Sequence, residues 1–369
     1  MVNHQVCSRC IMDTSDPDIT FDEKGVCNHC RAFDEMAAQN WFPGPEGLPK
    51  LNAIVAQIKK ECAGNEYDCI IGLSGGVDSS YLAYKASQLG LRMLAVHVDG
   101  GWNSELAVKN IEVICKNLGI DLYTHVVDWE EMKDLQVAFL KSGLSNQDIP
   151  QDHAFFAALY NYAVKNNVRY VLNGSNFATE GILPPAWGYD AMDLRLLESV
   201  HKTFGRIKLR TFPKVNFFKR YVYYPYIRRM QVVKLLNYIL YDKEQAIQTL
   251  EKELGWRYYG AKHYESRFTK FFQAYYLPLR FGYDKRKAHL SSLIVSGQMT
   301  RVEALQEMEK ELYPQAQLRE DKEFVLRKLG LSEKDFENLL HAPLKTFRDY
   351  DSNYRLRQVV NGIRKRLGV

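Results

Sequence analysis

The run Tyr67-Asp68-Cys69-Ile70-Ile71-Gly72-Leu73-Ser74-Gly75-Gly76-Val77-Asp78-Ser79-Ser80 decides the fold. Its first half is a short, continuous apolar stretch, the pattern of a strand buried on both faces of a parallel sheet. Its second half is a glycine-rich turn, and Tyr81–Ser87 continues it as a helix. A strand, a glycine turn and a helix N-terminus make an anion site. The glycines let backbone N–H groups approach phosphate oxygens with no Cβ in the way, and the helix dipole adds attraction. Ser74, Ser79 and Ser80 add hydroxyls, and Asp78 is a candidate ligand for a magnesium ion that neutralises phosphates. The turn has no G-K-[ST] and no G-x-G-x-x-G, so it is neither a Walker loop nor a dinucleotide fingerprint.

Working outward, strand and helix patterns alternate. Met93–Val98 is a strand ending at Asp99-Gly100-Gly101-Trp102-Asn103, and Ser104–Leu118 a helix. Leu122–Val127 is a strand, a helix runs from Asp152-His153 to Val164, and Tyr170–Leu172 is a strand ending at Asn173-Gly174-Ser175-Asn176. This is the pattern of an α/β, doubly wound parallel sheet, in which ligands bind beyond the carboxyl ends of the strands. The turns holding Asp99 and Gly174 therefore face the same nucleotide as the Ser74–Ser80 loop. His153, a lone histidine at a helix start, is either a substrate contact or structural. Upstream, residues 41–50 carry three prolines and two glycines and read as a linker, followed by a helix with Leu51, Ile54, Val55 and Ile58 on one face.

The first forty residues hold Cys7-Ser8-Arg9-Cys10 and Cys27-Asn28-His29-Cys30. Two C-x-x-C knuckles at this separation are the four-thiolate zinc pattern, each presenting two sulfurs to one tetrahedral ion. Four thiolates leave no open position, so this zinc is structural. Two disulfides are the alternative, disfavoured in a reducing compartment. His29 is a conceivable substitute ligand. Cys62, Cys69 and Cys115 lie among apolar neighbours and read as small buried hydrophobes.

The 369 residues are 46% hydrophobic and 25% charged, which excludes a disordered or collagen-like chain. With no membrane-length apolar stretch and no signal-peptide pattern, the expectation is a cytoplasmic protein without membrane contact. The net charge of +5 is uneven: residues 201–300 carry 20 Lys and Arg against 6 Asp and Glu, and 21 of the 46 aromatic residues. Such a segment attracts anions, or else is a helical layer with aromatic core and solvated cations. Beyond residue 300 the pattern is helical. Val302, Leu305, Met308 and Leu312 share a face, Ser332-Glu333-Lys334-Asp335 is a capping box, and Arg355–Arg366 is a basic tail. Three parts follow: a zinc ribbon at 1–40, the nucleotide-binding core at 50–190, and a mostly helical, basic and aromatic region at 191–369 that binds substrate and partner.

The S-G-G-x-D-S loop after a strand resembles the PP-loop of the ATP pyrophosphatases, the adenine nucleotide alpha hydrolase-like fold. Those enzymes cleave ATP to AMP and pyrophosphate. By that resemblance Ser74–Ser80 grips pyrophosphate, and backbone around Val96–Val98 contacts adenine. Glu180, in Phe177-Ala178-Thr179-Glu180-Gly181, resembles a carboxylate at the corresponding strand end of asparagine synthetase that assists amidation; a surface carboxylate is the alternative. Over nearly the whole chain, the four cysteines, the PP-loop, Gly255–Phe271 and Tyr283–Ser292 resemble the N-acetyl sugar amidotransferases of lipopolysaccharide O-antigen and flagellin-glycan biosynthesis. The resemblance implies conversion of a sugar acetamido group to an acetamidino group through an O-adenylated intermediate. Ammonia would come from a separate glutaminase pair resembling the two subunits of imidazole glycerol phosphate synthase. Lys262 is implied as the cation that stabilises phosphate charge, and His263, Lys285 and Arg286 as contacts to the nucleotide sugar; exposed basic side chains are the alternative. The implied cofactors are ATP, Mg²⁺ and structural Zn²⁺.

The chief rival is a PP-loop tRNA thiolase, which also joins zinc modules, a PP-loop and a basic surface. Sulfur transfer needs reactive thiols near the loop, and here both C-x-x-C pairs are committed to the ribbon. Two phosphates on a nucleotide sugar use the basic excess without nucleic acid. No cysteine stands in a glutaminase nucleophile context, so ammonia must arrive from outside the chain.

Overall fold

The computed structural model describes residues 4–260 and 264–367. Its centre is one parallel sheet of five short strands: β1 (Cys69–Gly72), β2 (Met93–Asp99), β3 (Asp121–Val126), β4 (Tyr170–Leu172) and β5 (Gln231–Val233), in the order β3-β2-β1-β4-β5. Every pairing is parallel, with Ile71 of β1 against Ala95 of β2 and Leu172 of β4. Successive strands run outward from β1 on one side, then the chain jumps back to β4 on the other. The switch point therefore lies between β1 and β4, where an open α/β sheet places its crevice.

Alternate strand residues feed two cores, as the two-residue repeat of a strand requires. Cys69, Ile71 and Leu73 face one layer built from α2 (Gly47–Glu61), α3 (Val77–Gln88) and α4 (Glu105–Leu118). Ile70, Leu94 and Val96 face the other, built from α5 (Trp129–Ser142), α6 (Ile149–Lys165) and, after the single turn α7 (Phe177–Glu180), α8 (Leu194–Phe204). Helix α6 begins at Ile149, one turn before the expected start at Asp152, because Pro150 fits the first helical turn.

The segment expected to be mostly helical also rejoins the sheet. β5 pairs with β4, and α9 (Lys243–Leu254) lays Ala246, Leu250 and Leu254 in the first layer with Trp256 behind them. Three residues between Met230 and Lys234 are too short a run to stand out as a strand in sequence.

A third core joins Trp102 and Leu140 to α10 (Arg267–Phe271), a π-helical turn at Phe272–Tyr276 and α11 (Leu277–Phe281). Next come α12 (Lys285–Val295), α13 (Arg301–Glu309), α14 (Gln315–Leu329) and α15 (Glu333–His341), the last started by the expected Ser332–Asp335 capping box. The chain closes with α16 (Tyr354–Leu367). Phe268, Phe271, Phe272 and Tyr276 are buried here, so these aromatics are core. No helix among the described residues is long and apolar enough to cross a membrane.

The N-terminal segment, ending in the helix Asn28–Asn40 (α1), packs its cysteine core against Trp187 and Ala288. Arg301 donates to the carbonyls of Cys7 and Cys10, Ser291 Oγ accepts from Ile11 N, and Lys287 Nζ meets Asp13 Oδ2 at 2.5 Å. The segment is thereby a buttress for α12.

Candidate active site

The PP-loop follows β1 directly. Gly75 takes φ +81°, and a Cβ there would stand 2.6 Å from the Ala107 carbonyl oxygen, so only glycine lets the loop lie against α4. Ser74 Oγ accepts from Gly76 N at 3.2 Å and lies 3.3 Å from Ser79 Oγ, which donates to the Gly76 carbonyl. Trp256 Nε1 donates to the Gly75 carbonyl, and the Val77 amide donates to the Tyr259 hydroxyl at 3.1 Å. That amide is one a phosphate oxygen would take at the N-terminus of α3. Burial keeps the Tyr259 hydroxyl well above its ordinary pKa, so the oxygen that accepts from this amide is a neutral phenol.

Across the switch point, the β4 turn meets the loop. A Cβ on Gly174 would lie 3.2 Å from Ser79 N, a close approach that glycine permits. Asn176 Nδ2 donates to Asp78 Oδ1 at 3.2 Å, and the Tyr241 hydroxyl donates to the same oxygen at 2.5 Å. Burial, then the charge of Asp78, holds Tyr241 well above its ordinary pKa, so it stays a donor. These two donors come from β4 and from the segment after β5, and they fix the carboxylate at the floor of a cavity.

Two cavities meet above the loop. One of about 620 Å³ is lined by Ser74, His97, Glu180, Glu265, Lys285 and His289, among others. The other, of about 330 Å³, is lined by Val77, Asp78, Tyr259, Lys270, Lys285 and Arg286, among others. Lys285, His289 and Gln273 line both, so the two are lobes of one site. The larger lobe lies in the range of small-molecule sites, and the smaller one sits at its lower edge.

The sequence-derived residues divide. Ser74, Asp78, Glu180 and Lys285 face the site together. Asp99 lies at the end of β2, where its Oδ1 accepts from Gly101 N at 2.8 Å and from Asn103 Nδ2 at 3.2 Å. Val96 is fully buried and its carbonyl accepts from Leu73 N; Val98, two residues on, is the one that lines the cavity. Ser80 is fully buried beneath the loop, its hydroxyl without a hydrogen bond among the described residues, so it turns away from the site while Ser79 stays with the loop. Arg286 lines the smaller lobe, but Asp284 and the Lys310 carbonyl hold its guanidinium. Lys262 and His263 lie outside the described residues. His153 is structural: its Nδ1–H donates to the Ala191 carbonyl at 2.9 Å and its Nε2 accepts from Val215 N at 3.2 Å, the neutral tautomer.

Sequence reading missed Tyr241, Asn176, Tyr259 and Trp256. Asn176 ends a strand turn and was accessible to the carboxyl-end rule; the tyrosines and tryptophan reach the loop only through folding.

The four cysteines of the N-terminal segment converge. Their sulfurs lie within 4.8 Å of one another and all four are buried, with Cys10 to Cys27 at 3.7 Å and Cys7 to Cys30 at 4.0 Å. A tetrahedron of 2.3 Å zinc–sulfur bonds has edges of about 3.8 Å, so the cluster fits zinc. The Arg9 and Cys10 amides donate to Cys7 Sγ, and Met12 N to Cys10 Sγ, which suits charged sulfurs. His29 is not a ligand; its Nε2 pairs with buried Asp16 at 2.5 Å.

Comparison with known proteins now places the chain. The family described as "LPS biosynthesis protein WbpG-like, C-terminal domain" matches residues 265–363, and the NAD synthase family matches residues 50–214. Residues 265–363 are thus WbpG-like and residues 50–214 NAD synthase-like, and together the two matches support a WbpG-like protein of the PP-loop superfamily. The chain is 29% identical over 136 residues to a tRNA(Ile)-lysidine synthase from Chlamydia pneumoniae, a match covering 36% of the chain and 37% of that relative's length. Among solved structures, an NH3-dependent NAD synthetase from Campylobacter jejuni is 18% identical, covering 35% of this chain and 57% of that one with a TM-score of 0.28. An NMN synthetase from Francisella tularensis is 17% identical, covering 59% and 98% with a TM-score of 0.30. PP-loop families use ATP with Mg²⁺.

Proposed function

We propose that this WbpG-like protein is an ATP-dependent amidotransferase. It converts the acetamido group of a nucleotide-linked N-acetyl sugar to an acetamidino group, in the biosynthesis of lipopolysaccharide O-antigen or a related surface glycan. An amide carbonyl is a poor electrophile. Attack of its oxygen on the α-phosphate of ATP gives an O-adenyl imidate and expels pyrophosphate. Ammonia then adds to the imidate carbon, and AMP leaves with the former amide oxygen.

One observation carries this reading. The WbpG-like segment and the PP-loop line the same cavity, with Lys285 and His289 of α12 facing Ser74 and Glu180. In this scheme Ser74–Ser79 hold the pyrophosphate, and Asp78 would hold Mg²⁺, which offsets phosphate charge. Lys285, with Lys262 and His263, would offset charge on the sugar nucleotide or the α-phosphate. Glu180 would assist amidation. Four-thiolate zinc would hold the ribbon against α12. Ammonia would come from a glutaminase pair resembling imidazole glycerol phosphate synthase, acting in the cytoplasm.

The rival, ATP-dependent tRNA modification, has one observation in its favour: the curated relative is a tRNA(Ile)-lysidine synthase. Sulfur transfer finds no support in the remaining thiols. Cys62, Cys69 and Cys115 are all buried, and burial pushes each thiol up, Cys115 to about 11. The test is nucleotide product analysis with ATP, Mg²⁺, ammonium and a panel of nucleotide-linked N-acetyl amino sugars. AMP and pyrophosphate that form only with one sugar, whose oxygen is replaced by NH, support the proposal. AMP formation that follows added tRNA and ignores every sugar supports the rival.

A further inference from the structure

Within the larger lobe, α6 presents two carboxylates one turn apart, Asp148 at its N-cap and Asp152. They are handled differently. Asp148 Oδ1 accepts from Thr269 Oγ1 at 3.0 Å and from Gln151 Nε2 at 3.3 Å, while its Oδ2 accepts from Gln273 Nε2 at 3.2 Å. Three donors thus occupy its acceptor oxygens. Asp152 accepts no hydrogen bond and makes no ion pair among the described residues. It is exposed, and the cavity is what it is exposed to. Opposite it stands Lys285 at the start of α12.

A carboxylate aimed into a reaction cavity with its acceptor capacity unused is a group kept for a ligand proton. We infer that Asp152 binds the incoming ammonia nucleophile and removes its proton. The inference rests on the amidotransferase reading and names a residue for its second half-reaction. Ammonium has no lone pair and cannot attack. One N–H proton passes to the Asp152 carboxylate as the nitrogen lone pair forms the C–N bond at the adenylated carbon. The C–O bond to AMP breaks with its electron pair, and the proton on Asp152 passes to solvent.

The electrostatics agree. Burial first, and then the charge of Asp148, push the Asp152 carboxyl up to about 7, against an opposing pull from Lys285. The other titratable groups lining this lobe, among the described residues, are His97, Glu180, Tyr189, Asp190, Glu265, His289 and Arg357. A base of this strength is half-ionised near neutrality, where proton transfer is most effective.

The test separates the half-reactions. Sugar-dependent exchange of labelled pyrophosphate into ATP reads adenylation alone; ammonium-dependent AMP formation reads the whole. Asp152→Asn should retain the exchange and lose AMP formation by about 10²-fold or more, the usual size of a general-base effect. Hydroxylamine, already a free base at neutral pH, should restore turnover to within about tenfold. The wild-type rate with ammonium should level off above about pH 7, whereas the Asp152→Asn rate should keep climbing with the free-ammonia fraction. Asp148→Asn should move the wild-type break to lower pH. The inference is overturned if Asp152→Asn turns over with ammonium like wild type, or if it loses exchange and amination equally. If wild type shows exchange with no sugar in the panel, the amidotransferase reading fails, and this inference fails with it.

Discussion

At the scale of the residue, the geometry around Asp78 is the sharpest feature. The sequence placed Asp78 in the loop, but nothing in it said what would aim the carboxylate. Folding brings Tyr241, which follows the fifth strand, onto the oxygen that Asn176 also holds. A hydrogen bond to a charged group is worth about 1.5–3 kcal/mol. Tyr241→Phe should therefore lower kcat/KM for Mg-ATP by about tenfold or more while leaving the fold intact, measured by sugar-dependent AMP formation and a thermal melt. An unchanged kcat/KM would show that Asp78 needs no such support. His153 gives the pH counterpart. Burial lowers its pKa, and both ring nitrogens are already committed, one as donor and one as acceptor. A second proton would face the Val215 N–H. Because the folded state disfavours the charged form, the full stability is present above the unfolded value of about 6.5 and is lost as pH falls below it. Urea melts of wild type and His153→Gln between pH 5 and 7.5 should show the wild type losing stability on acidification, and the variant losing less.

At the scale of the element, legibility followed length and chemistry. Strands β1, β2 and β4 announced themselves as apolar runs ending in glycine turns, and the cysteine knuckles carried their own spacing. Strand β5 did not, since Gln231–Val233 offers three residues and exposes Val232. Nor did Val96 against Val98, or Ser80 against Ser79: Val98 shares the face of Val96 but stands nearer the carboxyl end of β2, where the cavity begins, and one step along α3 turns a hydroxyl from the loop into the core. The ribbon's role also lay beyond spacing. Its carbonyls at Cys7 and Cys10 receive Arg301, and its core contains Ala288 of α12. Cys10→Ser, or chelation of the native protein, should release one zinc per chain by elemental analysis and lower the melting temperature substantially, because structural zinc binding is folding free energy. It should also raise KM for the nucleotide sugar, since α12 carries Lys285. A zinc-free protein that melts and binds normally would reduce the cluster to four buried thiols.

At the scale of the whole molecule, the topology explains why three distant segments meet. The switch between β1 and β4 opens a crevice. The loop after β1 and the turn after β4 form its floor, the chain after β5 returns to steady both, and α12 of the WbpG-like segment closes it from above. The doubly wound core was readable from alternation, while the closing wall was not, because which face of α12 turns inward depends on where the ribbon docks. The closure makes a prediction that neither half makes alone. Lys285 lines both lobes, whereas Arg357 lines only the larger and Lys243 only the smaller. If ATP and the sugar nucleotide occupy the two lobes together, Lys285→Ala should raise KM for both, each by about tenfold for a lost contact to a charged group. Arg357→Ala and Lys243→Ala should each raise only one, and opposite ones. Initial-rate patterns for the two substrates should intersect, since both must be present before pyrophosphate forms. Parallel lines, or a Lys285→Ala effect confined to one substrate, would mean the lobes are filled in turn and α12 serves only one of them.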